Sequence, residues 1–261
     1  MDDFEYVDGY LERIDLPLLP SIDPDSLMLL QTNHLRHIPY ENLDIMVDNV
    51  PLNLDPEYLW DKMVRRKRGG ICYEHNILFA EVLERLGFRV RRMAAHDPLM
   101  GQSEYEHMFL LVDFPRMEET WLADVGFASN FLAPIKFKVD IWQSDLRDML
   151  RIDHLGHGVY DLVRRNDVGD EEVMYEFNLS SHTNAQYQPR CDWVATNVRS
   201  PLRMGPVISM DAVGGRAQLT RDEFVHHVNG HRQSVPITSA QQFYQILKQE
   251  FGIEEEFDLG L

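Results

Sequence analysis

The sequence predicts an α+β protein that runs helices first, strands second and a mixed segment last. Three observations carry this. Apolar residues recur at helical spacing up to Gly87, period-two alternation sets in at Phe88, and strand and helix signals mix from about Asn197 onward. A doubly wound sheet would alternate strand and helix throughout, which this chain does not do. The pattern divides the chain into residues 1–87, 88–196 and 197–261.

Each element has its own signal. Residues 4–14 form a short amphipathic helix, followed by a stiff connection at Pro17, Pro20 and Pro24. Residues 25–37 form a second helix, stopped because Pro39 disfavours helical geometry at Ile38. Asp55 as N-cap and Pro56 at the first helical position open a third helix over 57–68, closed by Gly69-Gly70. Arg65, Arg66, Lys67 and Arg68 crowd its last turn, where the macrodipole favours cations. A fourth helix runs from Cys72 to Leu86 with Gly87 as its left-handed stop, apolar around most of its circumference and therefore central. Strands are predicted over 88–95, 106–114, 120–125, 135–139, 159–164 and 174–179, with a turn at 166–170. Further strands flank Gly214-Gly215, and a last helix is capped by Ser239 with Gln242 three residues on.

Composition excludes several classes of function. The chain carries 25 Lys+Arg against 43 Asp+Glu, a formal net charge of −18, which repels phosphate backbones and anionic bilayers. No apolar run is long enough to span a membrane. Two cysteines, Cys72 and Cys191, do not make a disulfide framework. The acidic start (Asp2, Asp3, Glu5) lacks the pattern of a signal peptide, so a cytoplasmic protein is expected, with small-molecule partners and no nucleic acid or membrane. Neither composition nor pattern separates a monomer from a homodimer.

The segment Arg68-Gly69-Gly70-Ile71-Cys72-Tyr73-Glu74-His75-Asn76 carries the most chemistry. A cysteine is nucleophilic as thiolate, and the first turn of a helix favours S⁻ through unpaired N–H groups and the dipole. The preceding glycines allow a sharp turn and close substrate approach. A small buried thiol after a loop is the competing reading. A thiol nucleophile needs a base, and the base an orienting group. His107 lies in an apolar strand, and Asp124 lies among apolar residues of the next one, where a carboxylate needs a partner. A hairpin centred near Met117 puts Asp124 opposite Phe109 and makes it a diagonal, same-face neighbour of His107. A register slip of one residue would separate them.

Cys72, His107 and Asp124, in that order, resemble the arylamine N-acetyltransferase family. The match includes the Arg-Gly-Gly-x-Cys-x-Glu-x-Asn motif, Pro39-Tyr40-Glu41-Asn42-Leu43 and Asp124-Val125-Gly126-Phe127. The resemblance implies a helical N-terminal domain carrying the cysteine, a central β-barrel domain carrying the histidine and aspartate, and a C-terminal α/β lid, with a papain-like catalytic core. It implies ping-pong acetyl transfer from acetyl-CoA, the acyl-donor substrate, to arylamines, arylhydrazines or N-hydroxyarylamines, with no metal and no bound prosthetic group. Cys72 would carry the acetyl group, His107 would move the proton, and Asp124 would orient the imidazole. The N–H of Cys72 is one oxyanion donor; the sequence names no second. Arg68 and Glu41 look like a buried ion pair bracing the glycine turn, and Asn76 is placed to bond Asp124. Tyr40, Val125, Gly126, Phe127 and Ala128 resemble the acceptor pocket, with Ala128 standing where the family usually has glycine. Arg203, Gly214, Gly215 and Arg216, with Arg221, are candidates for CoA.

Other readings stay open. A papain-like or transglutaminase-like hydrolase could use the same three residues, and a non-catalytic scaffold could retain them. Among His226, His227 and His231 only His227 and His231 have ligand spacing, four residues apart, and no third ligand of matching spacing joins them, so zinc is not expected. Cys191 beside Trp193 reads as a packed thiol, and Arg89, Arg91 and Arg92 read as a solvated strand face.

Overall fold

The computed structural model describes residues 1–18, 20–47, 51–96, 105–127, 131–166, 168–212, 215–228, 231–257 and 259. Helix α1 (Asp3–Arg13) starts where the Asp2 carboxylate accepts from the Glu5 N–H. Helix α2 (Pro24–His37) starts where Asp23 accepts from Ser26, so Pro24 opens the helix instead of belonging to the connection before it. A short strand β1 (Tyr40–Glu41) and the turn-length α3 (Leu43–Val47) follow. Asp55 caps α4 (Pro56–Trp60), accepting from the Glu57 and Tyr58 N–H groups.

The helix expected over 57–68 is shorter than its sequence signal. After Trp60 the chain widens into a π-helical turn, Asp61–Arg65, and Lys67 turns left-handed at φ 55°. Arg68 then leaves the helix and points inward to Glu41, Asp44 and Glu255. Three carboxylates outweigh what the last-turn dipole offers a surface cation.

Helix α5 (Cys72–Arg85) is the centre of the helical part. Ile77, Leu78, Phe79, Ala80, Val82 and Leu83 are all fully buried, and Gly87 at φ 96° ends the run. Tyr6, Tyr10, Leu27, Leu30 and Leu59 close around it in one apolar cluster. The all-round apolar pattern of the sequence thus becomes burial on every side.

Eight strands follow: β2 (Arg89–His96), β3 (His107–Phe114), β4 (Glu119–Ala123), β5 (Ile135–Lys136), β6 (Gln143–Ser144), β7 (Met149–Gly156), β8 (Val159–Arg165) and β9 (Glu171–Ser181). They make one sheet in the order β5-β4-β3-β2-β9-β8-β7-β6, curled into a nearly closed barrel. Its two edges are tied by one side chain: Gln143 accepts from the Lys136 N–H at 3.1 Å and donates to the Lys136 carbonyl at 2.8 Å. Phe109, Leu111, Leu122, Leu150, Ile152, Leu162 and Phe177 fill the interior. The strand expected over 135–139 is only two residues long, and β7 was not anticipated.

Helix α6 (Asn184–Thr196) was not anticipated either, because Pro189 lies inside it and cannot bond the carbonyl one turn back. After the short turn Pro201–Arg203 come β10 (Val207–Ala212), β11 (Gly215–Thr220), β12 (Glu223–Val228), β13 (His231–Pro236) and helix α7 (Ala240–Phe251), capped by Ser239. The second sheet runs β1-β10-β11-β12-β13, so the N-terminal part of the chain supplies its edge strand. Phe243, Leu247 and Phe251 of α7 pack on Ile208 and Leu219 of that sheet. Gly214 lies outside the described residues. No helix among the described residues is long and apolar enough to cross a membrane.

Candidate active site

The barrel hairpin sets the first relationship. β3 and β4 pair with Leu110 opposite Ala123 and Phe114 opposite Glu119, and the ladder ends one residue short of Asp124. His107 and Asp124 then meet on one face, Nε2 to Oδ2 at 2.6 Å. Asp124 lies one residue past the end of β4, where its carboxylate can gather further donors. The Asn76 amide donates at 3.0 Å, the Gly126 N–H at 2.8 Å and the Tyr175 hydroxyl at 3.4 Å. Four donors, one of them an imidazole, offset the cost of a carboxylate that is 1% exposed.

Cys72 is the first residue of α5, with Ile71 as its N-cap. Its sulfur acts on the His107 ring, whose Nε2 is taken by Asp124. Burial disfavours the charged ring, but the Asp124 carboxylate and the Cys72 sulfur outweigh it and push His107 up to about 10. The imidazolium is therefore the form this site holds. Cys72 is buried but keeps 8% of its surface exposed.

The other expected residues fall into distinct places. Asn76 bonds Asp124 and also donates to the Met108 carbonyl at 2.7 Å, which ties α5 to β3. Its Oδ1 accepts from the Val125 N–H at 3.3 Å. Gly126 lies so close to α5 that a Cβ there would stand 2.7 Å from Cys72 Cα and 2.6 Å from its carbonyl oxygen. Phe127 meets His107 edge-on, centroids 5.1 Å apart. Ala128 lies outside the described residues. Tyr40 stacks parallel to His75, and its hydroxyl feels the Cys72 sulfur; burial, then that sulfur, holds it well above the usual phenol range.

Arg68 and Glu41 form a buried pair at 2.7 Å, extended by Asp44 and Glu255. Glu41 Oε1 also accepts from the Gly69 N–H at 3.3 Å, so the pair braces the glycine turn directly. Behind the same turn, Lys62 is buried between Glu74 at 2.7 Å and Asp44 at 2.8 Å, and Glu74 accepts from the Ile71 N–H. Arg203 donates to the Ile45 and Ala195 carbonyls, a tie between α3 and α6. Arg216 lies across from Asp211 in the β10–β11 pairing and close enough to Tyr40 to interact with it. Arg36 and Arg147 both reach Asp211, and Arg147 also donates to the Gly215 carbonyl at 3.4 Å. Arg221 donates to the Leu259 carbonyl.

Cys191 is fully buried in α6. Burial and the nearby Cys72 push its thiol far up, which suits a packed group. His226, His227 and His231 lie on the paired strands β12 and β13, and no group of three or more metal-ligating side chains occurs among the described residues. Arg91 and Arg92 pair with Asp113 and Glu84, while Arg89 is exposed.

Sequence reasoning missed two groups that hold Asp124. Gln31 of α2 accepts from the Asp124 N–H at 3.1 Å, and Tyr175 of β9 donates to its carboxylate. Gln31 had a readable signal: it shares the apolar face of α2 with Leu27, Leu30 and Leu35, where a polar residue needs a buried partner. Tyr175 had none, because strand β9 is far from the hairpin in sequence.

The arrangement brings a cysteine at a helix start, a histidine and a carboxylate together where α5 packs against the barrel. Comparison with known proteins narrows this. The family model for N-acetyltransferase matches residues 23–259. Arylamine N-acetyltransferase of Mycolicibacterium smegmatis is 31% identical over 255 residues, covering 94% of this chain and 91% of that protein. The solved structure of the Salmonella typhimurium arylamine N-acetyltransferase superposes with a TM-score of 0.89 at 28% identity, covering 97% of this chain and 93% of that one. The Mycobacterium marinum enzyme, solved in complex with CoA, gives 0.86 at 30% identity over 95% and 93% of the two chains. The chain belongs to the arylamine N-acetyltransferase family, and is an acetyltransferase.

Proposed function

We propose that this protein moves an acetyl group from acetyl-CoA, through a thioester on Cys72, to an arylamine, an arylhydrazine or an N-hydroxyarylamine. One observation supports this most: in a chain of this family, Cys72 stands at a helix N-terminus and acts on His107, which Asp124 holds at 2.6 Å.

In the first half, the Cys72 sulfur attacks the acetyl carbonyl carbon. The bond to the CoA sulfur breaks, and that sulfur leaves with the proton from His107 Nδ1. Negative charge on the carbonyl oxygen is met by the Cys72 N–H, one of the unpaired donors of the first turn of α5. In the second half, the amine nitrogen attacks the thioester, its proton passes to His107, and Cys72 departs as thiolate beside a restored imidazolium. Asp124 stays ionised throughout and holds His107 in the one orientation that presents Nδ1 to sulfur.

Phe127, Val125, Gly126 and Tyr40 form the wall against which an aromatic acceptor would lie, with Ala128 next in the chain. For the anionic end of the donor, Gly215 and Arg216 are the proposed contacts, together with Arg36 and Arg147, which lie beside the same hairpin. Gly214 joins this proposal by sequence.

The test is intact-mass measurement after mixing protein and acetyl-CoA without an acceptor. One acetyl group should appear on Cys72, be discharged by an aromatic amine, and fail to appear in Cys72→Ser. No adduct and no CoA release with any short acyl-CoA would overturn the proposal and favour a hydrolase or a scaffold.

A further inference from the structure

Behind the cysteine turn runs a buried chain of hydrogen bonds that the reaction steps above do not use. The Tyr10 hydroxyl meets His34 Nδ1 at 2.8 Å, His34 Nε2 meets His75 Nδ1 at 2.7 Å, and His75 Nε2 meets the Pro39 carbonyl at 3.1 Å. All three side chains belong to residues at most 1% exposed. The Gly70 carbonyl also acts on the His75 ring.

The carbonyls give this chain a single direction. A carbonyl oxygen only accepts, so His75 Nε2 must carry a hydrogen. His75 Nδ1 is then a bare acceptor, His34 must donate from Nε2, and His34 Nδ1 must accept from the Tyr10 hydroxyl. The reverse order would face a bare ring nitrogen against a carbonyl oxygen in a dry interior. Burial, together with neighbouring cations, keeps both rings neutral: His34 is held well below its usual range and His75 down at about 4.

What the chain grips is the approach to Cys72. The Pro39 carbonyl presses on Gly69 so closely that a Cβ there would stand 1.7 Å from the oxygen. Glu41 N–H donates to the Gly70 carbonyl at 2.9 Å, and Tyr40 bridges to Gly70. The His75 N–H thus holds the Pro39 side of this seam, whose other side is bonded to it through Glu41 and Gly70. Its ring plane also lies 7° from that of Tyr40, whose hydroxyl feels the Cys72 sulfur. His75 itself is one helical turn along α5 from Cys72.

We propose that His75, locked in one tautomer by His34 and Tyr10, is a positioning residue for the first acyl transfer. It clamps Pro39-Tyr40 to Gly69-Gly70 and so sets where the Cys72 sulfur and the Tyr40 ring stand. This role rests on the acetyl-transfer reading. Losing the clamp displaces the nucleophile without touching His107 or Asp124, and sub-ångström errors of that kind are costly in rate.

The test has two arms on the whole protein. Nitrogen-resolved NMR of the histidine rings should show His34 and His75 as Nε2–H tautomers that do not titrate between about pH 5.5 and 8.5, where a free imidazole would. In the kinetic arm, the rate of CoA release without acceptor should fall about 100-fold in His75→Leu. His75→Gln, which keeps a donor near the Nε2 position, should recover to within about tenfold of the parent, and Tyr10→Phe should lose about tenfold. A His75 carrying its proton on Nδ1 overturns the proposal even if no variant folds. A folded His75→Leu that matches a parent able to take up acetyl overturns this role alone. A parent that takes up no acetyl overturns the acetyl-transfer reading and this role with it.

Discussion

His107 Nε2 and Asp124 Oδ2 stand 2.6 Å apart, on residues that only the β3–β4 register brings together. The same carboxylate is held by Asn76, Gly126 and Tyr175, so it is fixed by the helical part, the loop after β4 and the far side of the barrel at once. Asn76 of α5 thus ties the helical part to the barrel at the same carboxylate that holds His107.

Asp124→Asn keeps the shape and removes the charge. The rate of acetyl uptake should fall roughly 10²–10⁴-fold, the usual range for a misdirected general acid–base group. Stopped-flow measurement of CoA release checks this, and a rate within twofold of the parent would show that the carboxylate does not orient the ring.

Stability should carry the mark of the same pair. Because the folded pKa of His107 is raised to about 10, its contribution is fully present below the ordinary histidine value of about 6.5 and is lost as pH rises toward 10. Urea unfolding at a series of pH values should therefore show stability declining over that alkaline window. In Asp124→Asn, only the Cys72 sulfur still opposes burial, and this component of the decline should shrink markedly.

Gly126→Ala tests how tightly the loop after β4 is seated on α5. The new methyl would meet Cys72 Cα and its carbonyl oxygen, both main-chain atoms with little freedom to move. A loss of about 1–3 kcal/mol in urea unfolding is expected, with acetyl uptake reduced. Unchanged stability would mean that the loop is not held against the helix.

Phe127→Ala removes the ring that stands edge-on to His107 and forms the proposed acceptor wall. KM for an aromatic amine should rise about tenfold, since a buried aromatic contact of this kind is worth about 1 kcal/mol or more. CoA release without acceptor should change little. An equal loss in both half-reactions would assign Phe127 to the histidine and not to the acceptor.

Arg68→Met leaves Glu41, Asp44 and Glu255 without their shared cation in a mostly buried place. Breaking one side of a buried ion pair typically costs about 3–5 kcal/mol, and the glycine turn before Cys72 should loosen with it. Urea midpoints of Arg68→Met and the double variant Glu41→Gln/Arg68→Met decide this, the double being less destabilised than the sum of the two single changes.

Local patterns were readable, and one long-range relationship followed from them. Counting residues across the connection near Met117 is enough to place Asp124 opposite Phe109, because a hairpin with one side buried has little choice of register. The start of α5 at Cys72 was equally plain from Gly69-Gly70 before it. Where residues distant in sequence decide the outcome, local pattern misleads. The helix pattern alone makes Arg68 a helix-end cation; its pairing with Glu41 was expected from the family resemblance, and the contact with Glu255 was not. Lys62 reads as a surface residue of an amphipathic helix, yet it is buried between Asp44 and Glu74. Helix α6 carried a capping pair in Thr183 and Gln186, but Pro189 concealed what followed. Tyr175 reaches Asp124 only because the barrel curls.

The central claim is that Cys72 is the nucleophile beside a charged His107 held by Asp124, and alkylation of its sulfur tests that most directly. Iodoacetamide modification at neutral pH, followed by mass spectrometry, should fall on Cys72 ahead of Cys191 and slow markedly in Asp124→Asn. Modification of Cys72 at the same rate in the parent and in Asp124→Asn would contradict the account.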